Sequence, residues 1–112
     1  MTTLRFGDLV PIRMDFHQMA GAKVRPAVVL LDTGDDDFVA APITSRERSS
    51  GWDFQLEHWR EAGLNVASFV RVHKLAVLAK TNVARSLGTL SQADRDRLEA
   101  IVCRTYCPGA KT

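Results

Sequence analysis

Two polar residues at the far ends of an apolar hairpin are the first candidates for chemistry. Arg25 precedes an apolar run at residues 26–31, and Thr44 follows a second run at residues 38–43. Apolar runs of this length, bounded by turn residues, are typical of buried strands. Because the start of one antiparallel strand lies beside the end of the next, Arg25 and Thr44 should meet at one rim of a sheet. A guanidinium beside a hydroxyl suits the binding of a phosphate group.

Two further candidates share a strand that is predicted over residues 67–73. The period of two places Arg71 and His73 on one face of this strand and the apolar Val70 and Val72 on the other. Arginine matches phosphate oxygens bidentately, and histidine serves as an acid or a base near neutral pH. Two solvated surface residues are the alternative interpretation of the same pattern.

Polar residues in two loops complete the candidate site as residues that bind a substrate. Ser45 follows Thr44, the polar loop at residues 46–51 contains Arg46 and Arg48, and the loop at residues 15–24 contains Asp15, His17 and Lys23. Loops on a rigid scaffold often carry binding residues, whereas a merely solvated connection is the alternative.

These residue types suit the cleavage of RNA without a metal ion. The ribose 2′-hydroxyl would attack the adjacent phosphorus while arginines stabilise the charge that develops on the phosphate oxygens. The sequence contains no P-loop, dinucleotide fingerprint or metal-binding motif, so we expect neither a metal nor a cofactor. The acidic turn at residues 32–37 does not match a calcium loop. Cys103 and Cys107 are too few for a disulfide framework and are predicted to be free thiols.

Composition narrows the class of protein without identifying it. The 112 residues predict one domain over residues 1–112, with a disordered tail at 109–112. A net charge of +2 permits a polyanionic partner but does not require one. Because the sequence has neither a membrane-spanning run nor a signal peptide, we expect a cytoplasmic protein that does not contact membranes.

The remaining elements predict a mainly β fold with a C-terminal helix, arranged as a small, strongly bent antiparallel barrel. Residues 9–14 read as a strand in which Pro11 requires an edge or a bulge, and Pro42 interrupts the strand before Thr44. Strict alternation at residues 52–57 predicts that Trp52, Phe54 and Leu56 face the core.

The C-terminal part of the chain carries clear helix signals. A short helical turn is predicted over residues 58–62, with Gly63 as its end. Ser91 is a suitable N-cap for a helix over residues 92–106, and Leu98, Ile101, Val102 and Thr105 fall on one face of that helix.

Several short segments, in order, resemble the MazF/PemK family of toxins from bacterial toxin–antitoxin pairs. The resemblance spans nearly the whole chain. The matching segments are Gly7-Asp8-Leu9-Val10, Arg25-Pro26-Ala27-Val28-Val29-Leu30, Ala41-Pro42-Ile43-Thr44-Ser45, Ala62-Gly63-Leu64, Ser68-Phe69-Val70-Arg71 and Gly88-Thr89-Leu90-Ser91.

The resemblance implies a function as well as a fold. The family has an SH3-like barrel that forms homodimers and cleaves single-stranded RNA to a 2′,3′-cyclic phosphate and a free 5′-hydroxyl. Its central catalytic pair corresponds to Arg25 and Thr44, and some relatives carry an aspartate where this chain has His73. It further implies a cognate antitoxin whose acidic tail fills the RNA groove, with DNA contacted only indirectly through that antitoxin.

Two alternatives to an RNA-cleaving toxin stay open at the level of sequence. The first is a barrel without catalytic activity that binds a protein partner or nucleic acid. The second is an inhibitor of gyrase, but such proteins of similar fold end in Trp-Gly-Ile, whereas residues 107–112 here have another sequence.

Overall fold

The computed structural model describes residues 3–15, 22–46, 51–83 and 85–107. Within these ranges the strands are β1 (Asp8–Asp15), β2 (Ala22–Asp32), β3 (Asp37–Thr44), β4 (Asp53–Gln55), β5 (Phe69–Arg71), β6 (Ala76–Ala79) and β7 (Gly88–Thr89), followed by the helix α1 (Gln92–Tyr106). A turn of 3₁₀ helix at Lys80–Asn82 joins β6 to the segment before β7. The prediction of a mainly β fold with a C-terminal helix is confirmed. No helix in the described ranges is long and apolar enough to cross a membrane.

The strands form one curled antiparallel sheet in the order β4-β5-β3-β2-β1-β7. The curl is centred on β3, which has two different neighbours along one edge: Asp37–Ala40 pairs with β6, whereas Ile43 and Thr44 pair with β5. Pro42 lies where the neighbour changes and remains inside β3. The prediction that Pro42 interrupts this strand is therefore wrong, because a proline is tolerated where ladder pairing is discontinuous.

Two apolar clusters on opposite faces of the sheet form the core. Adjacent residues of the central strand β2 enter different clusters: Val28 joins the one beneath α1, and Ala27 and Val29 join the other. All three are almost inaccessible to solvent. Successive side chains of a strand point to opposite faces, so an apolar run buried on both sides is what a central strand requires.

The helix α1 has the predicted bounds and the predicted cap. The Ser91 hydroxyl accepts a hydrogen bond from the Asp94 N–H at 3.1 Å. Asp94 is itself fully buried, and its carboxylate accepts hydrogen bonds from the backbone N–H groups of Glu57 and His58. The first turn of the helix is thereby tied to the segment that leaves β4, while Leu98 packs into the core.

The structure corrects two predictions about individual segments. The hairpin between β1 and β2 is longer than expected, because Asp15 ends β1 and Lys23 lies within β2, where Lys23 pairs with Met14. Trp52 does not face the core: it is 51% exposed, whereas Phe54 and Leu56 are buried as predicted. Trp52 lies just before β4, where its side chain lines an open cleft beside the end of α1 and is not covered by the core.

The predicted acidic turn contains one aspartate that is structural. Lys80 Nζ lies 2.8 Å from Asp32 Oδ1, and the Leu4 N–H donates to the other carboxylate oxygen. The hydrogen bond from Lys80, together with backbone hydrogen bonds from Gly34 and Leu4, lowers the pKa of Asp32 to about 2. Asp32 therefore stays ionised and joins the end of β2 to the segment after β6.

The predicted helical turn is present and ends in a tight backbone contact. The Ala62 N–H donates to the His58 carbonyl, and Gly63 has φ of +96°. A Cβ atom at Gly63 would lie 2.4 Å from the Leu87 carbonyl oxygen, so this turn and the segment entering β7 pack too closely for a side chain.

We predict that Gly63→Ala lowers the free energy of unfolding by about 2–5 kcal/mol, because left-handed backbone strain and steric overlap add. Gly34 is a matched control, since it also has positive φ but no atom lies within 4 Å of the place that a Cβ atom would take. Gly34→Ala should cost only the strain, roughly 1–2 kcal/mol. Urea unfolding of both variants measures the difference, and equal losses would contradict the close packing.

Candidate functional site

The register of the central hairpin brings Arg25 and Thr44 together. Ala27 pairs with Pro42 in the antiparallel ladder between β2 and β3. Continuing that register by two residues places Arg25 opposite Thr44, and directly opposed residues share a face of the sheet. Arg25 is exposed and Thr44 is half-buried. The extended register therefore puts both residues at one rim of the sheet.

Both residues line a cleft of about 340 Å³, here called the rim cleft. Its polar lining consists of Arg25, Thr44, Arg71 and Lys74, and its apolar lining includes Ile12, Ala27 and Ala40. Three of these side chains are cationic at neutral pH. Because the cations surround one hydroxyl on an apolar floor, the rim cleft suits an anionic group that enters from solvent.

A larger cleft of about 540 Å³ lies on the other side of the same rim. Arg25 and Thr44 line it as well, together with Ser45, Asn65 and Arg85. The two residues thus stand on a ridge between two clefts. A polymer that crosses the ridge would have one of its backbone units at Arg25 and Thr44 and its neighbouring units in the clefts on either side.

The Thr44 hydroxyl is held by the backbone that follows it. The Arg46 N–H donates to Thr44 Oγ1 at 3.1 Å, a side-chain-to-backbone hydrogen bond common where a strand ends. A hydroxyl that accepts one hydrogen bond still has its own O–H to donate. The Thr44 hydroxyl can therefore donate a hydrogen bond to an oxygen atom of a ligand.

Arg71 is held from two sides. Its Nε atom lies 3.3 Å from Asp53 Oδ1, and one Nη atom lies 3.5 Å from His73 Nε2. Since a guanidinium only donates hydrogen bonds, His73 Nε2 acts as the acceptor in this arrangement. Arg71 and His73 are in contact, but β5 ends at Arg71, so His73 lies in the turn after the strand and not within the strand, where the sequence predicts it. His73 does not line either cleft at the rim.

The other predicted substrate-binding residues whose side chains the structure describes do not line the rim cleft. Ser45 and Arg46 are exposed directly after Thr44, and only Ser45 lines a cleft with it. Asp15 and Lys23 lie at the hairpin ends of β1 and β2, where the structure describes their backbone alone. His17 and Arg48 lie outside the described residues, as does the predicted tail at 109–112.

Sequence reasoning missed three residues that the fold brings to the rim: Lys74, Asn65 and Arg85. Lys74 follows His73 and gave no periodic signal, because the chain turns there and the Lys74 N–H donates to the Arg71 carbonyl. No signal in the sequence predicts that Asn65 or Arg85 lines a cleft with Thr44. Asn65 lies in the irregular segment between β4 and β5, and Arg85 lies between the 3₁₀ turn and β7.

The described residues were also compared with what a metal site or a reactive thiol requires. There, no group of three or more His, Cys, Asp or Glu side chains is arranged to hold a metal ion. Cys103 and Cys107 are free and exposed on α1 and at its end, as predicted, and are remote in sequence from the rim residues. The absence of a cofactor remains a prediction.

Comparison with known proteins gives one family match. The model of a family described as PemK-like, MazF-like toxin of type II toxin–antitoxin system matches residues 5–106. This match covers nearly the whole chain and includes all of the described site residues. A search of curated protein sequences found no match.

Solved structures support the same assignment at the level of the fold. A MazE–MazF complex from Deinococcus radiodurans superposes with a TM-score of 0.72 at 16% identity, covering 93% of this chain and 96% of that one. The Mycobacterium tuberculosis toxin MazF-mt6 superposes with a TM-score of 0.67 at 18% identity, covering 87% and 95%. A mycobacterial endoribonuclease in complex with its cognate antitoxin gives 0.66 at 16% identity, covering 92% and 93%. The likeness confirms the MazF-like fold.

Proposed function

The chain belongs to the PemK-like, MazF-like toxin family, and on this premise we propose that it is a toxin that cleaves single-stranded RNA. The single observation that carries the proposal is the rim cleft, where Arg25 stands opposite Thr44 with Arg71 and Lys74 on the same lining. Single-stranded RNA is the proposed substrate because a flexible backbone can adopt the in-line geometry that cleavage needs.

The proposed reaction begins with a phosphate seated between Arg25 and Thr44. The ribose 2′-oxygen attacks the phosphorus, the bond to the 5′-oxygen breaks, and the products are a 2′,3′-cyclic phosphate and a 5′-hydroxyl. The Arg25 fork binds two phosphate oxygens and the Thr44 O–H donates to one of them, so both stabilise the added negative charge. Removal of one such contact typically slows a reaction about 10²–10³-fold.

We propose that Arg71 supplies a second guanidinium and that His73 assists it. The 2′-hydroxyl must lose a proton and the 5′-oxygen must gain one, which is the role that the sequence suggests for His73. The contact of His73 Nε2 with Arg71 supports a second role for His73, in which the imidazole orients the Arg71 guanidinium and does not transfer a proton. These two roles predict different behaviour of a glutamine variant at position 73.

Partners of the proposed toxin follow from the family. Relatives of the same fold have been solved as a MazE–MazF complex and with a cognate antitoxin. We propose that this chain is likewise inhibited by an antitoxin whose acidic segment occupies the cationic rim cleft, in competition with RNA.

We also propose a homodimer. This proposal is supported by an apolar row across β2, β3 and β6, in which Leu31 is 53% exposed and Val77 is 70% exposed.

We predict that Arg25→Ala lowers RNA cleavage by about 10²–10³-fold and relieves growth inhibition, because the phosphate loses its bidentate partner. Arg104→Ala is the matched control: Arg104 is exposed on α1 and lines neither cleft at the rim. Cleavage of a long RNA is measured for both folded variants. Equal activity of Arg25→Ala and wild type would contradict the proposed role of Arg25 in cleavage. If the wild-type protein binds RNA without cutting it, a binding module without catalytic activity is favoured.

We predict that cleavage continues in excess EDTA, since the proposed charge stabilisation comes from arginine side chains. The rate and the cut positions on a long RNA should match those measured with magnesium present, apart from effects of magnesium on RNA folding. The end groups should be a cyclic phosphate and a 5′-hydroxyl. Loss of cleavage in EDTA that magnesium restores on an unstructured oligonucleotide would contradict this mechanism.

We predict that His73→Ala slows cleavage, whereas His73→Gln retains most of the activity, because glutamine offers an acceptor to Arg71 but does not act as an acid or a base. The pH–rate profile of the glutamine variant should keep the wild-type shape. If His73 transfers a proton, both variants should instead lose about 10²–10⁴-fold, and one limb of the profile should disappear. Wild-type rates for both variants at every pH would leave His73 without a role in the reaction.

A further inference from the structure

We propose that Asp53 is a positioning residue that fixes Arg71 in the rim cleft, and this inference rests on the proposed RNA cleavage. Asp53 lines neither cleft at the rim, so it would act only through the guanidinium. Nothing in the sequence singles it out, because Asp53 sits in an alternating strand where a polar residue is expected at that position.

The pairing of β4 with β5 creates the contact. Asp53 and Arg71 are directly opposed in the ladder, and opposed residues share a face. The Arg71 Nε atom lies 3.3 Å from Asp53 Oδ1. Phe69, two residues earlier on β5, pairs with Thr44, so the same strand register that joins Asp53 to Arg71 also directs Arg71 toward the Thr44 side of the sheet.

Burial makes the pairing obligatory for the carboxylate. The Asp53 side chain is only 4% exposed and the Arg71 side chain 20%. Within the described ranges, Asp53 Oδ2 is buried without a hydrogen-bond partner, so the ion pair with Arg71 is the compensation that the described structure gives to this charge. A buried carboxylate that loses its cation is strongly disfavoured, and Asp53 therefore holds the guanidinium in place.

The geometry leaves the guanidinium able to bind substrate. Of the five N–H donors of an arginine, the Nε–H points to Asp53 and one Nη–H to His73. The other donors remain for a ligand, and Arg71 lines the rim cleft with Thr44. A long, flexible side chain fixed at two points is pre-organised for a phosphate, which raises the fraction of encounters with correct geometry.

The test is a double-mutant cycle on the cleavage rate with wild type, Asp53→Ala, Arg71→Ala and the double variant. If Asp53 acts through Arg71, Asp53→Ala should lower kcat by about 10–100-fold in the wild-type background and have no further effect when Arg71 is already alanine. Equal losses in both backgrounds, or no loss in the wild-type background, would overturn the inference. Gln55→Ala, on the same strand and face but exposed, is the matched control and should keep the wild-type rate.

An NMR measurement tests the inference without measuring cleavage. It also does not depend on whether the alanine variant folds. In the isosteric Asp53→Asn variant, the ¹H–¹⁵N signal of Arg71 Nε should shift and exchange faster with water than in wild type. The Gln55→Ala variant should leave that signal unchanged. An Arg71 Nε signal that is the same in wild type and in Asp53→Asn would overturn the inference.

Failure of this inference differs from failure of the proposed function. If wild-type protein cuts no RNA, the proposed function fails, and the Arg71 Nε signal alone still decides whether Asp53 holds Arg71. If wild-type protein cuts RNA while Asp53→Ala and Asp53→Asn cut it equally well, the function stands and the positioning role of Asp53 is wrong.

Discussion

The register between β2 and β3 is the constraint on which the site depends. A shift of one residue would move Arg25 to the opposite face of the sheet, away from the Thr44 hydroxyl. Packing opposes this shift, because Ala27 and Val29 fill one apolar cluster and Val28 the other, and a shift would exchange side chains of different size between them. The irregularity in the ladder lies between Val29 and Leu31, toward the acidic turn, so the pairing from Val29 to Ala27 on the rim side is regular.

The same hairpin separates charge along its length. The acidic turn lies at one end, where Lys80 keeps Asp32 ionised, and the guanidinium of Arg25 lies at the other. About seven residues of extended chain separate Arg25 from Asp32, which is on the order of 20 Å. Screening at physiological salt acts over roughly 8 Å, so a polyanion at the rim experiences the local cations and little of the distant aspartates. A nearly neutral net charge is therefore compatible with a cationic cleft.

Local patterns in the sequence predict some of these features well. The helix α1 has its predicted bounds because the apolar spacing and the Ser91 cap are local signals. The strand predicted over residues 67–73 is shorter in the structure, because β5 ends at Arg71 and the chain turns there. Alternation does not predict the exposure of Trp52, because its side chain lies in an open cleft beside the end of α1 that only the tertiary packing forms. The Asp53–Arg71 pair was missed because it depends on the register of strands that are 18 residues apart in sequence. Tertiary pairing of that kind has no local signature.

Tertiary pairing also bears on His73, the position at which this chain differs from some members of the family. Where some members of the family that the sequence resembles carry an aspartate two residues after the arginine, this chain has a histidine that accepts a hydrogen bond from Arg71. The anion beside Arg71 comes instead from Asp53 on the neighbouring strand β4. Since an ion pair requires proximity rather than a particular strand, the Arg71 guanidinium has a carboxylate partner although position 73 holds a histidine. The histidine at position 73 therefore does not leave Arg71 without a restraint, and loss of activity does not follow from it.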